Sequence, residues 1–414
     1  MLSDEVIEKV VERLVNRIEQ GNEYIMQKIG ESVKKIGTLS PSKAQELVQI
    51  LRYGGDYDKI VKKLEEITKL NKKDIYKIFE EVAKSDYNFA EQFYKYRNKK
   101  FIPYEENVAL KQRVNAIAKM TADTYQNISN TMAFARHNAK GEIIYSSLAE
   151  TYQAILDEAI INVGQGKETF DSAMYRSLKT LADKGINTVD YESGRHMRLD
   201  SALRMQMNGA IRDMHIQMQE ELGKSFDADG IEISMHMNPA PDHQFVQGKQ
   251  FELKEFQKFQ NDEDAVSYDG TKFPAESEET GRDRRSIGQY NCYHYTFSIV
   301  LGVNTPRYTN EELQAIIKRN NEGFEFEGKH YTMYEGQQLQ RNIELAIRKA
   351  KDQQILGRSS DNKQLINKSQ EQIDKLNRKY KKLSKISGLP TKPERMRVSG
   401  YHKVKVQNNL QKEN

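Results

Sequence analysis

Four residues around the predicted α+β segment are best suited to chemistry. They are the chain's single cysteine, Cys292, and three histidines, His236, His243 and His294. A thiolate and an imidazole offered by Cys292-Tyr293-His294 suit one soft metal ion. The spacing matches no standard zinc motif, however. Two other readings are a hydrogen-bonded core that also uses Asp242, and a cysteine nucleophile with a histidine base. We favour the core, and therefore expect no catalytic residue, no metal and no cofactor.

A second group of candidates begins a helix that the sequence predicts over Arg195–Leu222. It contains Arg195, Arg198, Asp200 and Arg204. Asp200 and Arg204 are four residues apart, which favours an ion pair on the surface of that helix. Gly164-Gln165-Gly166-Lys167 lacks the spacing of a phosphate-binding loop and is interpreted as a turn between helices.

The third candidate site is basic. Residues 361–414 contain 14 Lys or Arg against 5 Asp or Glu, whereas the whole chain has a net charge of only +4. On a helix, Lys375, Arg378, Lys382 and Lys385 share one face, and Lys379, Arg395 and Arg397 lie close in sequence. This pattern favours non-specific contact with the phosphates of double-stranded DNA. The alternative is a solvated face that keeps the protein in solution.

The elements that must position these residues are mostly helical. Apolar residues recur at helical spacing through almost all of the first 220 positions, including helices predicted over Glu142–Asn162 and Thr169–Lys184. We expect a mainly α fold with four parts. They are an N-terminal helical bundle that provides a docking surface (1–102, ending near Pro103), a long-helix region (103–225), a small α+β domain (226–333), and a charged helix with a basic C-terminal arm (334–414).

Shorter patterns locate elements in the second half. Ile231, Ile233 and Met235 alternate with polar residues and predict a strand, and the segment around Gly328 predicts a hairpin. Thr309 is a predicted helix cap, and helices are expected over about Tyr334–Leu356 and Asp361–Ile386. Tyr290–Gly302 fits either a strand or a buried helix. We expect the tail after Gly388 to be disordered until bound.

Composition excludes some classes of protein. Hydrophobic residues make up 37% of the chain and the mean hydropathy is -0.81. No apolar run approaches the roughly 20 residues needed to span a bilayer, so an integral membrane protein and a membrane partner are excluded. One cysteine cannot form an intrachain disulfide and fits a reducing compartment.

Six motifs, in order, resemble one known family. Val189–Arg195 followed by Leu199–Arg204 resembles the "Y-x-S-G-R … L-D-x-A-x-R" helix of the phage minor capsid protein 2 family. Glu232–His236, Pro241–His243 and Gln247–Phe251 resemble its "E-x-S-x-H … R-P-x-H-x-x-W-Q-G-K-x-F" core, and Asn291–His294 its "N-C-R-H". The motif residues are Arg195, Asp200, Arg204, His236, Asp242, His243, Gln247, Gly248, Cys292 and His294. Ala240, Phe245 and Tyr293 depart from the pattern, which weakens the case for an anionic substrate.

The resemblance implies a structural head protein of a tailed phage, related to the Mu F-like head-morphogenesis proteins. Such a protein would associate with the portal or the major capsid protein, and the basic C-terminal region identified above would then face the packaged DNA. It would lie in the head interior of the virion, after assembly in the host cytoplasm. The competing interpretation is a hydrolase- or transferase-like head protein that uses Cys292 with a nearby histidine.

Overall fold

A computed structural model of the protein describes residues 4–37, 56–130, 133–137, 143–147, 188–190, 196–275, 285–288 and 292–405, with six further residues between 172 and 182. The described part is mainly helical, as the sequence predicts, with small antiparallel sheets. None of its helices combines the length and the apolar character needed to cross a bilayer.

The main core lies between long helices from the first half of the chain. These are α1 (Asp4–Gly37), α2 (Asp56–Phe89), α4 (Val108–Asn130) and α5 (Leu199–Ser225), with the short α3 (Glu91–Tyr96) beside them. Buried side chains from all four long helices form one cluster, which includes Leu14, Phe79, Tyr125, Met214 and Phe226. This cluster continues across Pro103, so the residues on the two sides of the expected boundary share a core.

The expectation of nearly continuous helix before residue 220 is wrong at four described segments between positions 133 and 198. Four short strands lie there: β1 (Ala133–His137), β2 (Ile143–Ser147), β3 (Thr188–Asp190) and β4 (His196–Arg198), paired antiparallel in the order β2-β1-β3-β4. β2 contains Ile-Ile-Tyr, residue types that suit extended backbone. The helix predicted from Arg195 begins instead at Leu199. In the helix expected over 142–162, residues 143–147 form β2 instead, whereas the described residues within 169–184 are helical as expected. The rest of both segments lies outside the described residues.

A second, small sheet forms the α+β region. It is antiparallel in the order β6-β5-β9, with β5 (Gly230–Ile233) in the centre between β6 (Gln250–Glu252) and β9 (Thr296–Ile299). The strand predicted from Ile231 is therefore confirmed, and the ambiguous 290–302 segment contains a strand. α6 (Leu253–Gln260) and the ribbon β7 (Ala265–Val266)–β8 (Lys272–Phe273) cover it, and Phe251, Phe259 and Phe273 fill its core.

The last part of the chain follows the sequence prediction closely. Thr309 caps α7 (Asn310–Glu322), and the predicted hairpin forms as β10 (Phe324–Phe326) and β11 (Lys329–Tyr331). α8 (Met333–Ser359) and α9 (Lys363–Ser387) then pack together as an antiparallel pair, which hydrogen bonds Gln340–Ser384 and Gln354–Gln370 join at opposite ends.

The segment after Gly388 differs from its prediction. Residues 388–405 are not a free arm: they include a short 3-10 helix (Pro393–Met396) and return to α1 and α9. Lys392 and Arg395 both donate to the carboxylate of Glu8 on α1. Opposite charge on α1 provides the ordering contact that a basic composition alone does not reveal.

Candidate functional site

The cysteine and two of the histidines meet in one buried cluster. Cys292 Sγ lies 3.4 Å from Nδ1 of His243 and 3.4 Å from Nδ1 of His294. The side chains are only 4%, 1% and 3% exposed in the order Cys292, His243, His294. His236, the fourth residue that the sequence indicated, lies at the edge of this cluster. Its ring centroid is 4.6 Å from that of His294.

The small sheet brings these residues together. His243 lies in the turn segment between β5 and β6, and Cys292 and His294 immediately precede β9, which pairs with β5. Gly248 closes the turn with a φ of +72°, and a Cβ there would collide with Leu313. Arg212 of α5 donates to the backbone carbonyl of Cys292, which anchors the cysteine to the main helical core.

Two acceptors fix the far nitrogens of the imidazole rings. His243 Nε2 lies 2.7 Å from the Arg285 carbonyl oxygen, which can only accept, so this nitrogen carries the proton. His294 Nε2 lies 3.5 Å from Gln247 Oε1. That oxygen is identified as an acceptor because the backbone N–H of His236 donates to it at 3.0 Å. With each Nε2 protonated, both Nδ1 atoms face the sulfur.

The electrostatics of the cluster favour charge on Cys292 and His243. Burial raises the pKa of the Cys292 thiol, but the hydrogen bond and charge of His243 outweigh it and leave the pKa below its ordinary value. Burial lowers the pKa of His243, and Cys292 and Asp242 more than reverse that effect. Burial, with His236 and His243 nearby, holds the pKa of His294 well below its ordinary value, so His294 is neutral.

Asp242 does not contact the sulfur. Its two oxygens accept from Arg285 at 2.6 and 2.8 Å, so the pair fixes the loop whose carbonyl holds His243. Sequence reasoning missed Arg285, which lies 42 positions from His243 in a charged segment with no local pattern.

Asp200 belongs to a second buried cluster, and the predicted surface pair with Arg204 is wrong. Asp200 is 2% exposed and pairs with Arg348 of α8 and, at 3.2 Å, with Arg198. Arg204 pairs instead with Glu12 of α1. Four positions along α5 bring the two residues against different neighbouring helices. Arg195 lies outside the described residues.

The cluster continues into α1 and α8. Arg198 donates to Asp352 at 2.8 Å, and the other oxygen of Asp352 accepts from Asn22 at 3.1 Å. Glu19 is 4% exposed beside them. Burial and the neighbouring Asp200 raise the pKa of Glu19 to about 8. The partners on α8 are not visible in the sequence, because Arg348 and Asp352 lie about 150 positions beyond Asp200.

The basic residues divide into two groups. Those exposed on α9 or just beyond it are Lys375, Arg378, Lys381, Lys382, Lys385 and Arg397. Two others make ion pairs within the protein: Lys379 with Glu327 at 2.6 Å, and Arg395 with Glu8. The face formed by Lys375, Arg378, Lys382 and Lys385, hereafter the α9 basic face, lies opposite the buried Ile373, Tyr380 and Leu383.

The comparisons with known proteins identify the same family that the motifs resemble. The family model described as phage minor capsid protein 2 matches residues 2–384. No curated protein and no solved structure shows significant similarity to the chain. Since the match covers nearly the whole chain and includes both buried clusters and most of α9, the protein belongs to the phage minor capsid protein 2 family and is a structural component of a phage virion.

Proposed function

We propose that the protein acts inside the phage head, associated with the portal, and that its α9 basic face contacts packaged DNA during or after head morphogenesis. Family membership supports a minor capsid role. The observation that carries the DNA contact is the presentation of four cations on one exposed helix face with no acidic residue between positions 375 and 385.

The geometry suits a phosphate backbone. The α9 basic face extends about 15 Å at a rise of about 1.5 Å per residue. Double-stranded DNA presents one negative charge per roughly 1.7 Å of its axis, so several phosphates lie within reach. The opposite side of α9 is fixed against α8, which holds the cations in place rather than on a free tail.

Charge neutralisation tests the DNA contact. A variant with Lys375, Arg378, Lys382 and Lys385 all changed to Gln should bind random duplex DNA at least tenfold more weakly in fluorescence anisotropy. Its affinity should also depend less steeply on salt, because fewer counterions are released. The matched control changes four exposed lysines on other helices to Gln: Lys69, Lys73, Lys77 and Lys119. Equal losses in both variants would show that only net charge matters and would refute a specific role for this face.

The docking part of the proposal concerns residues before Pro103. Large apolar side chains are exposed there, among them Leu70 (46%), Tyr96 (58%) and Ile102 (45%). Because one core crosses Pro103, deletion of the N-terminal helices would expose buried surface and is a poor test. Single changes of these three residues to Lys should instead reduce capture by purified portal rings. Lys substitution of exposed Met237, in the α+β region, is the control. Unchanged capture with all three variants would place the docking surface elsewhere.

One observation favours the enzymatic alternative: the contact between Cys292 Sγ and His243 Nδ1, with the lowered thiol pKa. The burial of the sulfur opposes it, since a nucleophile must reach its substrate. Alkylation with iodoacetamide separates the two cases. We expect native protein to react far more slowly than unfolded protein. Rapid modification of the native thiol would favour the enzyme.

A further inference from the structure

We propose that His243, Cys292 and His294 bind one Zn²⁺ ion, which cross-links the β5–β6 turn to the segment before β9. This site is independent of the DNA-binding face and of portal docking. The three ligand atoms lie within 4.8 Å of one another, and all three residues are buried. No other group of three such residues meets that distance within the described part of the chain.

Proton counting carries the argument. Both far nitrogens face acceptors, the Arg285 carbonyl and Gln247 Oε1, and so hold the ring protons. Both Nδ1 atoms then face one sulfur. A single further proton, on Cys292 or on His243, serves that pair and leaves the Nδ1 lone pair of His294 facing sulfur away from water. A cation bound to all three atoms satisfies every lone pair.

The distances fit the same ion. With Zn–S near 2.3 Å and Zn–N near 2.05 Å, tetrahedral coordination separates sulfur from nitrogen by about 3.6 Å. The observed separations are 3.4 Å to both histidines. The sulfur–nitrogen separations therefore already suit one ion. The two Nδ1 atoms, which lie within 4.8 Å of each other, would be about 3.3 Å apart when both bind it.

The outer contacts are those that orient metal-binding histidines. Such histidines usually donate their second N–H to a carbonyl or a carboxylate, which fixes the ring and its tautomer. His243 has the Arg285 carbonyl, held by the Asp242–Arg285 ion pair, and His294 has Gln247. Three protein ligands leave the fourth tetrahedral position to water or a small anion. In a region with a small core, the ion would contribute directly to folding stability.

The first measurement is the metal content of tag-free protein purified without chelators. We expect inductively coupled plasma mass spectrometry to find about one zinc ion per chain, and the Cys292→Ser variant to lose it. The control is His402→Ala, at an exposed histidine far along the chain, which should keep its zinc. Removal of zinc by a strong chelator should lower the melting temperature of the wild type and leave that of Cys292→Ser unchanged.

The second measurement does not require the variant to fold. Protein depleted of zinc and titrated with Co²⁺ should develop a sulfur-to-cobalt charge-transfer band in the near ultraviolet. Because Cys292 is the only cysteine, this band reports on that residue alone. Wild-type protein with neither zinc nor the cobalt band would overturn the proposal, as would a folded Cys292→Ser variant that keeps its zinc. A protein that binds metal yet fails to bind DNA would refute the proposed function but not this site.

Discussion

At the scale of single residues, the buried cluster between α1, α5 and α8 has an excess of acid. Among the described side chains it contains the carboxyls of Glu19, Asp200 and Asp352, against the guanidinium groups of Arg198 and Arg348. Glu19 Oε1 has no hydrogen-bond partner in that part of the structure. A protonated Glu19 leaves two carboxylates facing two guanidinium groups, which balances the buried charge.

Protonation of Glu19 makes stability depend on pH. Its pKa is about 8 in the folded protein and near 4.5 when exposed, so between these values the folded chain holds a proton that the unfolded chain has released. This contribution is complete below pH 4.5 and is lost as pH rises towards 8. Glu19→Gln should therefore increase the free energy of unfolding at pH 8 by on the order of 1–3 kcal/mol and change it little at pH 5. Chemical denaturation at both pH values, with exposed Glu31→Gln as control, provides the measurement.

Asp200 should be among the most sensitive positions in the protein. Asp200→Asn removes the negative charge that pairs with buried Arg348 and Arg198. It should lower the free energy of unfolding by about 3–5 kcal/mol. The double variant Asp200→Leu/Arg348→Leu removes both charges. It should be more stable than either Asp200→Leu or Arg348→Leu alone. Thermal unfolding of the single and double variants tests the coupling. Independent, additive effects would contradict the pairing.

Whether a residue contact can be predicted from the sequence depends on how far apart the two residues lie along the chain. The proximity of Cys292 and His294 follows from their spacing, whereas the approach of His243 depends on strand pairing across 49 positions. The expected pair of Asp200 with Arg204 used the nearest opposite charge. The folded chain gives Asp200 a distant partner instead, because α8 covers that face of α5.

At the scale of elements, side-chain caps mark the starts of α7 and α8. Thr332 accepts from the backbone of Glu335, whose side chain accepts in return from the backbone of Thr332, and Thr309 with Glu312 repeats the arrangement before α7. Both caps are local, four-residue patterns, which is why Thr309 is identifiable from sequence. The four strands between 133 and 198 have no such signal: β1 pairs with nearby β2 and β3 with nearby β4, but the β1–β3 pairing that joins them brings together Ala133 and Thr188, 55 positions apart.

Loss of the α8 cap should have a modest and specific effect. Thr332→Ala removes the acceptor for a backbone N–H and should cost about 1 kcal/mol. Thr332→Ser keeps the hydroxyl and should lose much less. Chemical denaturation of the two variants gives the comparison. An equal loss in both would mean that the methyl group, and not the hydrogen bond, matters.

At the scale of the whole molecule, the C-terminal segment depends on α1 for its order. Burial opposes ionisation of Glu8, but Arg395 and Lys392 more than offset it and hold the pKa of Glu8 below its ordinary value. Glu8→Lys places three cations together and should release residues 388–405. We expect faster tryptic cleavage after Arg395 and Arg397, detected by mass spectrometry. Glu31→Lys, at an exposed position of the same helix, should leave the cleavage rate unchanged.

The division into four regions is harder to obtain from sequence than the elements themselves. α5 contributes to the main core and also contacts the small sheet, where Gln219 Oε1 accepts from the backbone N–H of Ser298 at 3.2 Å. α8 likewise joins α1 through Asp352 and Asn22. Composition and proline positions indicate where the chain turns, but not which separate segments bury the same surface.

The pairing of α1 with α8 has a consequence for how the protein is made. Asn22 and Asp352 are 330 positions apart, so α1 leaves the ribosome long before its partner is synthesised. During that interval the surface of α1 that carries Glu19 and Asn22 lacks the helix that will bury it. Contacts of such long range also slow folding. Completion of the fold therefore has to follow release of the C-terminal half from the ribosome.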